Sequence, residues 1–237
     1  ADVAWINPFM VEQDEKKLKL SLSREKDICR FELSSLDKDK SQLHAKGEMY
    51  ITREDNPPVL IDLQEIISRC GTFLCSQEIY RIFEKGGLNY GWYYRVLESI
   101  RTNGHEALSE IRLSERHEKE LPEYKLHPAV LDGALQTISG IYATGGMDVQ
   151  GTAVPFSVEE IEFIKSPGKV SYAYARVSGK DRFHVAVLDE KGSLCIRLFD
   201  LTLRRIKDNF SNFFYTPFWK NVQLSNIRGE DYIETED

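Results

Sequence analysis

Residues Leu126–Gln136 read LHPAVLDGALQ, and this stretch limits the fold more tightly than any other in the chain. Pro128 suits the first position of a helix, where its missing N–H has no partner to lose. His127 then falls at or beside the N-cap. Val130, Ala134, Ile138 and Tyr142 recur at four-residue spacing, with Leu131 and Leu135 alongside. That is the apolar stripe of a helix buried against a core. The spacing predicts one helix over Pro128–Ala143, stopped by Gly145-Gly146. Asp132 and Gln136 lie four apart and stack on one side of it. Two readings of Asp132 are open: it complements the positive end of the helix dipole, or it is a functional group carried on a buried helix.

Most other periodic segments alternate as strands do. Strands are expected at Asp2–Val11, Lys16–Ser23, Ile28–Leu36 and Leu43–Thr52. Arg53–Leu60 contains Asn56-Pro57-Pro58 and breaks regular structure. It reads as a linker running on through a short Leu63–Arg69 segment, followed by a short helix at Ser76–Lys85, with Ser76 as N-cap and Gly86-Gly87 as its stop. Further strands are expected at Tyr93–Arg101 and Ala107–Leu113. The charged stretch Ser114–Lys125 reads as a loop. After the helix come Thr152–Phe156, Val158–Ile164, Val170–Val177, Phe183–Asp189 and Leu194–Arg205. Ser178–Asp181 and Lys191-Gly192 look like hairpin turns. Val170–Val177 alternates as in an antiparallel sheet with one covered face. The expected division is 1–54, a linker and short helix over 55–86, a domain over 87–207 and an acidic linker over 208–237.

A length of 237 residues at 41% hydrophobic content leaves room for one large domain or two small ones. A net charge of −7 argues against general nucleic-acid binding, which needs a basic face. There is no apolar run long enough for a membrane span and no signal-peptide pattern, so a cytoplasmic protein is expected. Cys29, Cys70, Cys75 and Cys195 form no C-x-x-C pair, so reduced thiols and no metal site are expected.

The wording of the helix goes further. LHPAVLDGALQ resembles the HPxLLDxxxQ signature of dehydratase domains in modular type I polyketide synthases. Gly87–Leu97 (GLNYGWYYRVL) resembles the family's GxxYGPxFRxL, Ala153–Phe163 (AVPFSVEEIEF) resembles LPFSxxxIxF, and Leu43–Met49 (LHAKGEM) resembles HAxGxV. Asp2–Val11 resembles a strand of the family's first half. Trp92 stands where the family usually has proline, and Tyr94 where it usually has phenylalanine.

This resemblance implies an α+β double hotdog, with antiparallel sheets wrapped around long central helices. The first hotdog is incomplete in this chain, because the first half has no long amphipathic helix. The implied reaction is dehydration of a β-hydroxyacyl thioester, carried on an acyl carrier protein, to the α,β-unsaturated thioester. Asp132 would be the acid or the group that orients the leaving hydroxyl, and Gln136, Tyr90, His127, Val154, Pro155 and Phe156 would contact substrate. Plainer roles stand beside these: Gln136 bonded to backbone, His127 as a helix cap, the others as core. No metal or cofactor is implied beyond the phosphopantetheine arm that tethers the substrate. The implied partners are the carrier protein, neighbouring synthase domains and a second copy of the chain. The family's base is a histidine in HxxxGxxxxP, a motif this sequence lacks; the base is expected upstream. A double-bond-shifting isomerase, a pyran-forming cyclase and a non-catalytic double-hotdog scaffold are the alternatives.

Overall fold

The computed structural model describes residues 2–9, 17–37, 40–50, 58–144, 152–206 and 232–233. The chain forms two compact units, one of Ala1–Asp55, Phe156–Glu159 and Phe213–Asp237, the other of Asn56–Pro155 and Glu160–Asn212.

The first unit is an antiparallel sheet of β1 (Val3–Trp5), β2 (Leu18–Glu25), β3 (Ile28–Asp37) and β4 (Lys40–Met49), in the order β2-β3-β4-β1. Alternation in β2 places Leu20 opposite Leu33 and Leu22 opposite Phe31. Leu33 in turn faces Ala45 of β4. Ser157 and Val158 pair with β1, and Tyr232–Ile233 pairs with β2. Among the described residues this unit contains no helix.

The second unit runs α1 (Leu63–Arg69), β5 (Thr72–Cys75), α2 (Ser76–Lys85), β6 (Leu97–Thr102), β7 (Glu106–Arg112), α3 (Glu115–Glu120), α4 (Pro128–Gln136), α5 (Ser139–Ala143), β8 (Thr152–Val158, of which 152–155 belong here), β9 (Glu160–Phe163), β10 (Val170–Gly179), β11 (Arg182–Asp189) and β12 (Leu194–Ile206). Its sheet order is β8-β12-β11-β10-β7-β6-β5, with β9 also on β12. The sheet wraps α4 and α5 as in a hotdog.

Small residues make that wrap possible. A Cβ on Gly140 would lie 2.5 Å from Ile100 Cγ2, and one on Gly133 would lie 2.8 Å from Val96 Cγ2. On the sheet side Ala107, Ala173 and Ala175 are fully buried. The opposite face is covered too. Ile66 of α1 and Cys70, which caps its end, pack on Leu108, with Tyr172 and Tyr174 against them. The prediction of one covered face for β10 is thus corrected, because its two tyrosines are the floor under α1.

Several other expectations change in detail. The single long helix is two, α4 and α5. Thr137 turns its hydroxyl back to the Gly133 carbonyl at 3.0 Å and meets Ser109 Oγ at 2.6 Å. Ile138 N then bonds Leu135 O, and Gly140 N bonds Thr137 O, tightening the chain to three-residue turns. Gly145-Gly146 lies outside the described residues. The stretch 58–75 is more than a linker, since α1 forms there and β5 joins the sheet edge; the expected helix at Ser76–Lys85 is α2, which buries Ile79 and Tyr80. The N-cap of α2 is Cys75, not Ser76, because the Glu78 carboxylate accepts from Cys75 N at 2.9 Å. The Ser114–Lys125 loop contains α3, where His117 Nδ1 accepts from Ser114 N at 3.1 Å. Of the expected 208–237 linker, only Tyr232–Ile233 is among the described residues.

Gly140→Ala tests the seam. Alanine is the better helix former, yet its methyl must displace β-branched Ile100. A loss of about 1–3 kcal/mol is expected in urea unfolding; an equal or higher midpoint would contradict the seam.

Candidate active site

Within the second unit α2, α4, α5, β8 and β12 line a half-open cavity of about 130 Å³, roughly the volume that takes a six-carbon group. Its walls are mostly apolar: Ile82 and Phe83 from α2, Leu88 beyond it, Leu135, Ile138 and Tyr142 from the central helices, and Leu203 from β12. Asp132, Gln136, Ser139, Tyr90 and Arg205 bring the polar atoms.

The entry to α4 places Asp132. His127 is the N-cap, its Nδ1 accepting from Ala129 N at 3.2 Å, and Pro128 begins the helix. An accepting Nδ1 puts the imidazole proton on Nε2, which lies 3.4 Å from Glu120 Oε2 and 3.5 Å from the Tyr93 hydroxyl. Burial lowers the His127 pKa, with Glu120 opposing. One turn further on, Asp132 points into the cavity.

Two influences compete at that carboxyl. The helix dipole favours the anion, but its effect fades beyond the first turn. The apolar walls favour the neutral acid. Burial wins and lifts Asp132 to about 6, while a hydrogen bond from Gln136 pulls the other way. Gln136 Nε2 donates to Asp132 Oδ2 at 2.6 Å and to the Tyr94 carbonyl at 2.9 Å. The Tyr80 hydroxyl donates to Gln136 Oε1 at 3.1 Å and accepts from Leu97 N at 3.0 Å. That carbonyl lies at the end of the 3-10 turn Trp92–Tyr94, just before the strand that starts at Leu97.

The structure brings Asp132, Gln136, Tyr90 and Pro155 together at the cavity. Tyr90 stacks edge-on to Phe83 with ring centroids 4.9 Å apart. Burial holds its hydroxyl well above the usual phenol range, and the Asp132 charge adds to this. Val154 is not a wall residue, because the strand's period of two turns Ala153 and Pro155 inward instead. Phe156 belongs to the first unit. His127 is sealed under Tyr93 and Tyr124 as a cap and does not reach the cavity. Trp92 also lies outside, exposed against the Arg116 guanidinium. Sequence reasoning missed Phe83 and Tyr80, although the spacing of Ile79, Tyr80 and Phe83 marks one apolar side of α2. Arg205 and Tyr142 were read only as strand end and helix stripe.

None of the five histidines lines this cavity. His44 bonds Ser35 Oγ at 2.7 Å within the first unit, and His184 accepts from Asp200 N at 3.2 Å. His105 is exposed and His117 is buried at the start of α3. Among the described residues no group of three or more His, Cys, Asp or Glu side chains is placed to hold a metal ion. No helix among them is long and apolar enough to cross a membrane.

A family model described as the polyketide synthase dehydratase N-terminal domain matches residues 61–210. Polyketide synthase PksN of Bacillus subtilis (strain 168) is 28% identical over 215 residues, covering 86% of this chain and 4% of that protein. PksM of the same organism is 25% identical over 224 residues, covering 86% of this chain and 5% of that protein. The chain thus spans only a small fraction of these curated relatives. The solved dehydratase domain from the CurF module of curacin polyketide synthase superposes with a TM-score of 0.80 at 25% identity, covering 87% of this chain and 75% of that one.

The raised Asp132 pKa has a consequence for stability. The folded state holds the Asp132 proton more tightly than the unfolded chain, whose carboxyl titrates near 4. Its stabilising contribution is therefore present below about pH 4 and is lost as pH rises through about 6. Asp132→Asn cannot ionise, so it should be more stable than the unsubstituted protein at about pH 7.5, by about 1–3 kcal/mol. The gap should close towards pH 4. Thermal melts across this range check it, and a gap that does not change with pH would refute it.

Proposed function

The chain belongs to the family of polyketide synthase dehydratase domains, and we propose that its second unit carries the acid half of a β-hydroxyacyl dehydratase site. The observation that carries this reading is the placement of Asp132: a carboxyl inside an apolar cavity, on the helix that opens with His127-Pro128, with its pKa raised towards neutrality.

Dehydration requires removal of the α-proton, which the thioester acidifies, and protonation of the departing β-hydroxyl. Each group must lie within hydrogen-bond reach of its atom. In the proposed cycle a base takes the α-proton and the electron pair forms the α,β double bond. The β C–O bond breaks, and its oxygen takes the Asp132 proton and leaves as water. Asp132 is then a carboxylate and the base is protonated, and a proton passed through solvent restores both. Gln136 steadies the carboxylate through the 2.6 Å bond. Tyr90 and Pro155 line the path of the acyl chain.

No histidine of this sequence sits at the cavity, so the proposed base is a histidine outside it, as in the family pattern. The substrate is proposed to be a β-hydroxyacyl chain on the phosphopantetheine arm of an acyl carrier protein, within a cytoplasmic synthase. The thioester supplies the activation, so no metal or redox cofactor is invoked. Carrier protein, neighbouring synthase domains and a second copy of the chain are the proposed partners.

The test is turnover in the polypeptide that carries this chain. A β-hydroxyacyl carrier protein is followed by the mass lost as water. Asp132→Asn keeps the shape and removes the ionisable proton, so a loss of about 10²-fold or more is expected. Near-normal turnover by the Asn variant would remove Asp132 from the reaction.

A further inference from the structure

The hydrogen-bond network behind Asp132 has a fixed direction. The buried Leu97 N–H can only donate, and it reaches the Tyr80 oxygen at 3.0 Å. The one Tyr80 proton is thereby turned the other way, to Gln136 Oε1 at 3.1 Å, with the Tyr94 carbonyl at 3.3 Å beside it. An amide can point either way in principle, and the donor and acceptor inventory decides. With Oε1 held by Tyr80, Nε2 faces two acceptors, the Tyr94 carbonyl and Asp132 Oδ2. The flipped amide would set Oε1 against both of them.

We propose that Tyr80 is a positioning residue for the dehydration: with the Tyr94 carbonyl holding Nε2 and Tyr80 holding Oε1, the direction of the Gln136 amide is fixed, which commits Asp132 Oδ2 to accepting a hydrogen bond and leaves Oδ1 as the oxygen that carries and delivers the proton. A proton on Oδ2 would point at an N–H donor, so the neutral acid places it on Oδ1. Among the described residues no donor bonds Oδ1, which is not sealed off and belongs to a side chain that lines the cavity. The inference rests on the reading of Asp132 as the acid. Tyr80, Tyr90, Tyr94, Tyr142 and Arg205 are the other titratable groups around this carboxyl. The four phenols stay neutral across the range in which Asp132 titrates, because burial raises each of them and lifts Tyr80 and Tyr142 to about 12.

The experiment reads the Asp132 carboxyl by carbon-13 NMR titration, without substrate, in the unsubstituted protein, Tyr80→Phe, Gln136→Leu and the double variant. In Tyr80→Phe the Gln136 Oε1 loses its partner and the Tyr94 carbonyl alone orients the amide, so the donor to Asp132 is held less firmly and the anion loses support. The Tyr80→Phe midpoint is therefore expected to rise by about one pH unit. In the Gln136→Leu background Tyr80→Phe should add nothing, since its effect passes through the amide. An unchanged midpoint in Tyr80→Phe, or the same rise with and without Gln136, would overturn the proposal. Should Tyr80→Phe fail to fold, the unsubstituted protein still decides. The Gln136 side-chain amide protons are expected to exchange slowly and to shift through the Asp132 midpoint, and amide signals indifferent to that titration would overturn it. None of these readouts needs turnover, so a failed dehydration assay with the expected titrations would reject the function and leave the positioning intact.

Discussion

A helix can lie this close to a sheet only where small residues line the seam, and the second unit depends on that seam. Gly133 and Gly140 leave no space for a Cβ against Val96 and Ile100, and Ala107, Ala173 and Ala175 form the facing floor. Larger residues would lift α4 and α5 off the strands, and Asp132 would no longer be held among Phe83, Leu135 and Tyr142 in the cavity. The packing of the core and the chemistry of the site are thus one constraint read on two sides of the same helix.

The site uses that constraint to keep a carboxyl near neutrality. The dipole of α4 is too far away to dominate, burial pushes the proton on, and one amide pulls it off. A single strong donor rather than several is the decisive feature. A carboxylate that accepts two or three N–H bonds falls far below the usual range and would hold no proton to give. Gln136 is in turn anchored by Tyr80 and the Tyr94 carbonyl, so the balance is set by backbone and by a buried phenol rather than by solvent.

Much of this was legible in the sequence. The entry to α4, with His127 as cap and Pro128 first, follows from local rules, as do the alternating strands around it. Asp132 and Gln136 were visible as a four-residue pair, and the family likeness gave their roles. The break at Thr137 was not legible, because it depends on a hydroxyl meeting Ser109 across the seam. The helix at Ser76–Lys85 was legible, but the sheet strand before it and the packing role of α2 were not, for a similar reason. Asn56-Pro57-Pro58 signals a break, and nothing local says that β5 pairs with β6 or that α2 becomes a cavity wall. The Ser114–Lys125 segment has no apolar period, and α3 exists there through capping and the burial of His117. Val154 was placed in the site by its motif, and only strand register showed that its neighbours Ala153 and Pro155 face the cavity instead.

The most direct measurement of the account is a crystal structure of the synthase region carrying this chain, with a non-hydrolysable β-hydroxyacyl amide of pantetheine bound. The account predicts the acyl chain along Leu135, Ile138 and Tyr142, and the β-hydroxyl oxygen about 3 Å from Asp132 Oδ1, with Gln136 still on Oδ2. An acyl chain seated outside this cavity, or a β-hydroxyl held by another side chain with Asp132 left unengaged, would contradict it.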